Sequence, residues 1–278
     1  MAAGLYVVAT PIGNARDISL RALDVLKGCD CLAAEDTRVT SKLLAIHGIS
    51  KPLIAYNDHN APQMRPRILA RLAAGEAVVL VSDAGTPLVS DPGYKLVRAV
   101  AQAGLEVVAI PGPSAVLAGL TLSGLPSDRF LFAGFLPSRE GERRSALEEL
   151  KSVRATLIFF ESAQRLADSL SAMAAVLGDR PAAMTRELTK MHEEVRRGSL
   201  AELAAHYEKA GAPKGEVTLL VGPPGVVVTD DAKIDAALRA ALAFMPVKAT
   251  ANMIADLTGG SRKTLYARAL ELKDGADP

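Results

Sequence analysis

Apolar positions along this chain follow two alternating rhythms. Short runs of small and β-branched apolar residues at 5–9, 30–34, 53–56, 77–81 and 106–110 predict buried strands. Between them, apolar residues at three- and four-residue spacing predict helices from a cap at Asp17 or Ser19 to about Lys27, and at 39–47, 62–74, 94–103 and 114–122. Gly28, Gly75 and Gly104 stand where helices stop. Strands alternating with helices predict an α/β fold with a mostly parallel sheet. The rhythm breaks at Gly124-Leu125-Pro126, which sets a first domain at 1–124.

A second block, 125–225, predicts strands at 130–134, 156–161, 182–186, 192–197 and 216–221, with helices at 141–151, 165–177 and 200–210. Its neighbouring strands predict a mixed sheet. Gly222-Pro223-Pro224-Gly225 reads as a hinge into a helical tail, 226–278, with helices at 232–244, 247–257 and 261–272. The last two, joined by Thr258-Gly259-Gly260, have helix-turn-helix spacing.

Three Gly- and Pro-rich loops follow apolar runs: Thr10-Pro11-Ile12-Gly13-Asn14, Ser82-Asp83-Ala84-Gly85-Thr86-Pro87 and Pro111-Gly112-Pro113-Ser114. In an open α/β sheet, ligands sit outside the carboxyl ends of the strands, so these loops predict one composite small-molecule site. Neither a GxGxxG fingerprint nor a GxxxxGK[ST] phosphate loop follows any run. With many prolines and few consecutive N–H groups, the loops suit a neutral or zwitterionic nucleoside better than a phosphate.

Composition narrows the picture. The formal charge of +1 over 278 residues excludes a design based on a basic tail, leaving only local patches. One such patch is 246–273, where Lys248, Arg262, Lys263, Arg268 and Lys273 face only Asp256 and Glu271. Cys29 and Cys31 point to opposite faces of a strand, which predicts two buried thiols rather than a disulfide, and no zinc-ligand cluster is present. Arg143-Arg144 and Arg196-Arg197 read as solvated faces, and aromatic content of 4% without Trp argues against a base-stacking platform. No run reaches membrane-spanning length and no signal-peptide pattern opens the chain, so a cytoplasmic protein is expected.

The loops, together with Ala34-Glu35-Asp36-Thr37-Arg38, Asn57-Asp58-His59-Asn60, Asp91-Pro92-Gly93-Tyr94, Phe159-Phe160-Glu161-Ser162 and Arg186-Glu187-Leu188-Thr189-Lys190, resemble the ribosomal RNA small subunit methyltransferase I family, in the tetrapyrrole methylase superfamily. The resemblance spans nearly the whole chain. It implies two α/β domains with S-adenosyl-L-methionine in the cleft between them, a small helical C-terminal segment, and usually a homodimer. The implied reaction is methylation of a cytidine ribose 2′-oxygen in small-subunit ribosomal RNA, within the assembled 30S particle. Pro11, Asp83, Gly85, Thr86, Pro87, Ser114 and Ala115 are then expected to line the cofactor pocket, with Phe160 and Leu188 closing it. Where tetrapyrrole-acting relatives commonly carry Gly-Asp-Pro, this chain has Gly85-Thr86-Pro87, which favours the RNA branch.

A ribose hydroxyl is a weak nucleophile, so a nearby base assists. Glu35, Asp36, Asp58, His59, Glu187 and Lys190 are candidates. Asp36 and Arg38 follow a strand end, where Asp36 accepts the hydroxyl proton and Arg38 holds a phosphate, or where the pair merely caps a helix. His59 is a candidate base, because imidazole is the side chain suited to proton transfer near neutral pH, or a turn residue. Two other functions fit parts of the pattern: a tetrapyrrole methylase and a non-catalytic RNA-binding module. Labelled methyl acceptance separates the first, and cofactor affinity the second.

Overall fold

In the computed structural model, which describes residues 1–225 and 231–274, the first five strands form one parallel sheet. They are β1 (Gly4–Val8), β2 (Cys31–Ala34), β3 (Leu53–Ala55), β4 (Ala77–Val81) and β5 (Val107–Ile110), ordered β3-β2-β4-β1-β5. The connecting helices are α1 (Leu20–Gly28), α2 (Thr37–Ile46), α3 (Ala61–Ala73), α4 (Tyr94–Gln102) and α5 (Ala115–Ser123). Ser19, not Asp17, caps α1, accepting from the Ala22 N–H at 3.1 Å.

Alternate strand residues face opposite sides. Val8, Leu32, Val79 and Val81 meet Ala22, Val25 and Leu26 of α1 and Leu44 of α2, while Leu5, Ala33, Val78 and Leu80 meet α3 and Leu96 and Val100 of α4. Cys29 and Cys31 fall in these two opposite cores as free thiols. The chain leaves β1 towards one face, through α1, and leaves β4 towards the other, through α4. Since β1 and β4 are adjacent, their carboxyl ends part at a topological switch point, where such sheets bind ligands.

The second sheet is mixed. It contains β6 (Phe130–Phe135), β7 (Thr156–Ser162), β8 (Pro181–Arg186), β9 (Glu194–Ser199) and β10 (Glu216–Val221), in the order β6-β7-β10-β8-β9. Only β6 and β7 run parallel. Its outer face is covered by α6 (Glu140–Leu150), α7 (Leu166–Leu177) and α8 (Leu200–Ala210), through Leu147, Leu166, Leu170, Met173, Leu200 and Leu203. Helix α5, although it precedes the expected boundary at 124, packs Val116 and Leu120 on the inner face against Ile158, Ala183 and Leu220.

Two arginines read as solvated are structural. Arg143 is buried and donates to the Ser138 carbonyl. Arg197 donates to the Leu122 and Ser123 carbonyls, which end α5 and lack partners within the helix.

Residues 1–224 form one compact unit and 225–278 another. The expected start of the tail at 226 lies outside the described residues. The second unit holds α9 (Asp231–Leu242), α10 (Val247–Thr258) and α11 (Arg262–Asp274) around Leu238, Ala251, Ile254, Leu265 and Ala269. Gly259, at φ +68°, ends α10 in the left-handed conformation glycine tolerates. Arg268 grips Asp235 through two hydrogen bonds of 2.9 and 2.7 Å, and Arg262 pairs with Asp256 at 2.9 Å. Two of the five cations counted in the sequence are therefore engaged within the unit itself.

Candidate active site

The three loops meet at the switch point. Thr10 and Gly85 exchange backbone hydrogen bonds of 2.8 and 3.0 Å, and the Thr10 hydroxyl donates to the Ser82 carbonyl at 3.2 Å. The Thr86 hydroxyl reaches the Pro113 carbonyl at 3.1 Å and ties in the third loop. From the second sheet, the β8–β9 connection closes on the first loop, where the Asn14 N–H donates to Thr189 Oγ1 at 3.0 Å. Gly13 makes this approach feasible, because a Cβ there would stand 2.8 Å from the Leu188 carbonyl oxygen.

Among the described residues, four non-glycine residues have positive φ: Leu88 (75°), Ser90 (64°), Glu187 (51°) and Thr189 (66°). They flank Val89 and Leu188 at the two sides of the crevice. Such conformations persist only where surrounding contacts impose them. Here the Thr189 N–H donates to Glu193 at 2.7 Å, and Lys190 bridges Glu187 (2.8 Å) and Glu216 (2.9 Å). Burial lowers the Lys190 pKa, but these two carboxylates outweigh it and hold the group above its ordinary value.

A cavity of about 480 Å³ lies between the loops and the second sheet. Asp83, Gly85, Thr86, Ser114 and Ala115 line it from one side, and Phe160 and Leu188 from the other. Pro11 borders a smaller adjoining trough instead, and Pro87 is buried behind its loop. Asp36, Arg38 and His59 do not line the cavity. Asp36 caps α2 through the Arg38 N–H at 2.8 Å and holds the exposed Arg38 guanidinium through both carboxylate oxygens. That pairing lowers the Asp36 pKa to about 2. His59 is exposed in the turn before α3.

Other lining residues went unassigned in the sequence. A bulge in β6 leaves Ala133 between Phe132, paired with Ile158, and Gly134, paired with Phe159. Phe135 therefore shares a face with Phe132, three residues away, and both meet Phe160 edge-on, at 5.7 and 4.8 Å. Thr218 pairs with Phe160 and with Thr185, so a row of two threonines and two phenylalanines crosses the inner face. Glu161 also lines the cavity. Its side chain is 1% exposed and accepts from Ser162 N–H (2.8 Å), Ser169 (2.5 Å) and Arg165 (3.1 Å). The Phe-Phe-Glu-Ser string carried that signal, but two phenylalanines read first as core.

Glu35, Asp83 and Asp91 bring three carboxyls to one end. Burial raises the pKa of each, and Asp83 also raises those of Glu35 and Asp91 by repulsion. The Asp36 N–H donated to Asp83 opposes the shift at Asp83. The cavity is thus mixed: backbone and small side chains at the loops, aromatic and aliphatic groups opposite, and carboxyls at one end. An ordinary small-molecule site has this make-up, within a size range of about 300–1,000 Å³.

These paired α/β sheets, with a cleft at the switch point, are those of a methylase of the tetrapyrrole methylase fold: the family "Tetrapyrrole (Corrin/Porphyrin) Methylases" matches residues 4–204. Diphthine synthase superposes with a TM-score of 0.62 at 19% identity, covering 78% of this chain and 89% of that one. Uroporphyrin-III C-methyl transferase from Thermus thermophilus, solved with S-adenyl homocysteine, gives 0.55 at 20% identity over 78% and 96% of the two chains. The chain belongs to the ribosomal RNA small subunit methyltransferase I family. The relative so named from Mesorhizobium japonicum is 55% identical, covering 97% of this chain and 92% of its own length. The one from Escherichia coli O157:H7 is 46% identical over 96% and 94%. The family "RsmI C-terminal HTH domain" matches 228–273.

Proposed function

We propose that this protein transfers a methyl group from S-adenosylmethionine to the 2′-oxygen of a cytidine ribose in small-subunit ribosomal RNA. One observation carries the reading: the similarity to named relatives runs through both the α/β body and the helical tail. The tetrapyrrole methylase match ends at residue 204, within the body.

The cavity fits the cofactor's chemistry. Asp83, Gly85, Thr86, Ser114 and Ala115 offer backbone and small polar groups for its amino-acid and ribose ends. Phe160 and Leu188 offer an apolar wall for its adenine. When bound, S-adenosylmethionine supplies an electrophilic methyl on a cationic sulfur, and the carboxyls at one end favour a cation. Among the candidate bases, Glu35 borders the cavity, and burial together with repulsion from Asp91 and Asp83 raises its pKa, the direction that makes a carboxylate a stronger base. Asp36, Arg38 and His59 lie outside the cavity, and the Arg38 guanidinium is held by Asp36.

The proposal extends to the assembled 30S particle as substrate, to a homodimer and to the cytoplasm, as the family resemblance implies. Among the described residues, no helix is long and apolar enough to cross a membrane. The test is incubation of purified protein and labelled S-adenosylmethionine with unmethylated small subunits, naked RNA or a corrin precursor. Label in an alkali-resistant 2′-O-methylcytidine is expected. Label in the corrin precursor, or in none of the three, would overturn the reading.

A further inference from the structure

A second, shallower cavity of about 250 Å³ adjoins the first. Pro11, Ile12 and Gly13 form one wall, and Val39, Leu43 and Ile46 of α2 form the other. The two cavities share Ile12, Asp83, Ala84 and Glu216, so the trough runs into the larger cavity beside Asp83. Its outer wall is unusual for a free surface: Val39 is 39% exposed and Ile46 66%. Spaced at 39, 43 and 46, these side chains lie on one stripe of the helix.

Cations stand beside the aliphatic walls, while Asp83, Glu216 and Lys190 border the end that meets the larger cavity. Helix α2 contains Lys42, and Arg38 paired with Asp36, and no acidic residue, and Arg16 lies on the loop that continues from the opposite wall. Among the described residues, Arg16 and Lys42 are exposed and form no ion pair. Aliphatic walls flanked by unpaired cations complement a single strand of RNA, in which flat apolar bases alternate with phosphates. A methyl acceptor must also come within reach of the donor, and the trough adjoins the larger cavity at Asp83.

We propose that this trough seats the acceptor nucleotide of a single-stranded RNA segment, its base against Val39, Leu43 and Ile46, with Arg16 and Lys42 holding the flanking phosphates. The inference rests on the methyltransferase reading and gives its substrate a location.

The test compares wild type with the surface variants V39D, I46D and R16A/K42A. Binding of a single-stranded oligonucleotide of small-subunit RNA is measured across a salt series, alongside cofactor affinity by calorimetry, melting temperature, sedimentation and methylation of assembled subunits. V39D and I46D are expected to weaken RNA binding roughly tenfold, since each sets a charge in an apolar contact and repels phosphate. Cofactor affinity and melting temperature stay at wild-type values. R16A/K42A flattens the slope of log K against log salt by about 1.4, the effect of two lost contacts on a single strand. Wild-type RNA affinity in all three variants, or wild-type protein that binds no oligonucleotide, overturns the proposal. So does a changed oligomeric state in I46D with RNA affinity intact, which would make the trough an interface between copies. Wild type that binds RNA through the trough yet methylates no subunit overturns the function instead, so the two failures are separable.

Discussion

Asp36 offers the active-site crevice its backbone and not its carboxylate: its N–H donates to Asp83 Oδ1 at 3.0 Å, while its side chain turns back to cap α2 and grip Arg38. The residue thereby orients a cavity-lining carboxyl without touching the cavity. Asp36→Asn keeps both the cap and the N–H, since Asn caps helices as well as Asp. Methylation by this variant is expected within a few-fold of wild type, whereas loss by orders of magnitude would make the carboxylate a base. The folded pKa, about 2, lies below the ordinary 3.8. The stability this group lends is therefore present above pH 3.8 and disappears as pH falls towards 2, and acid melting curves of Asp36→Ala and wild type should converge there.

Glu35 and Asp91 have the opposite sign. Their folded pKa values are raised, chiefly by burial, so the folded state binds more protons than the unfolded one and loses stability as pH rises through those values. Glu35→Gln and Asp91→Asn should melt higher than wild type at neutral pH and match it in acid. Glu35→Gln should also lose methyl transfer while retaining cofactor affinity. A lower neutral melting temperature would show that the ionised carboxylates are stabilised by contacts that outweigh their burial.

Gly13→Ala probes the contact between the two sheets' loops. Its new Cβ meets the Leu188 carbonyl and Thr189 Oγ1, both at 2.8 Å, and Lys190 Cγ at 2.5 Å. A backbone carbonyl cannot swing aside, so the loops must part, at a cost of about 1–3 kcal/mol. Cofactor affinity should fall with the melting temperature, because Leu188 moves with its carbonyl. A variant that melts normally and binds cofactor normally would mean that the 187–190 loop yields freely.

In the helical unit, arginines and lysines should separate cleanly. Arg268→Lys loses the two-pronged grip on Asp235 and should lower the melting temperature of this unit in the full chain. Lys248, Lys263 and Lys273 form no ion pair among the described residues. Changing all three to Gln should leave melting unchanged. If this unit grips RNA, the salt dependence of RNA binding should flatten; an unaltered slope would assign the grip elsewhere.

Local rules carried much of this protein into its sequence. Strand runs, helix stops and the three loops are each specified within a few residues, and they locate the switch-point crevice because strand ends and turns obey local sterics. The helix stop at Gly124, where φ is +73°, was legible for the same reason, but the allegiance of α5 to the second sheet was not: it depends on Ile158, Ala183 and Leu220, distant in the chain. Tertiary structure likewise decided which of the neighbours Glu35 and Asp36 faces the cavity, through the join between β2 and α2. It turned Phe135 inward through a bulge visible only against β7, and it engaged Arg197 with the end of α5. Periodicity reports which side of an element is apolar, whereas the neighbour meeting that side is set by register between segments that no local pattern encodes.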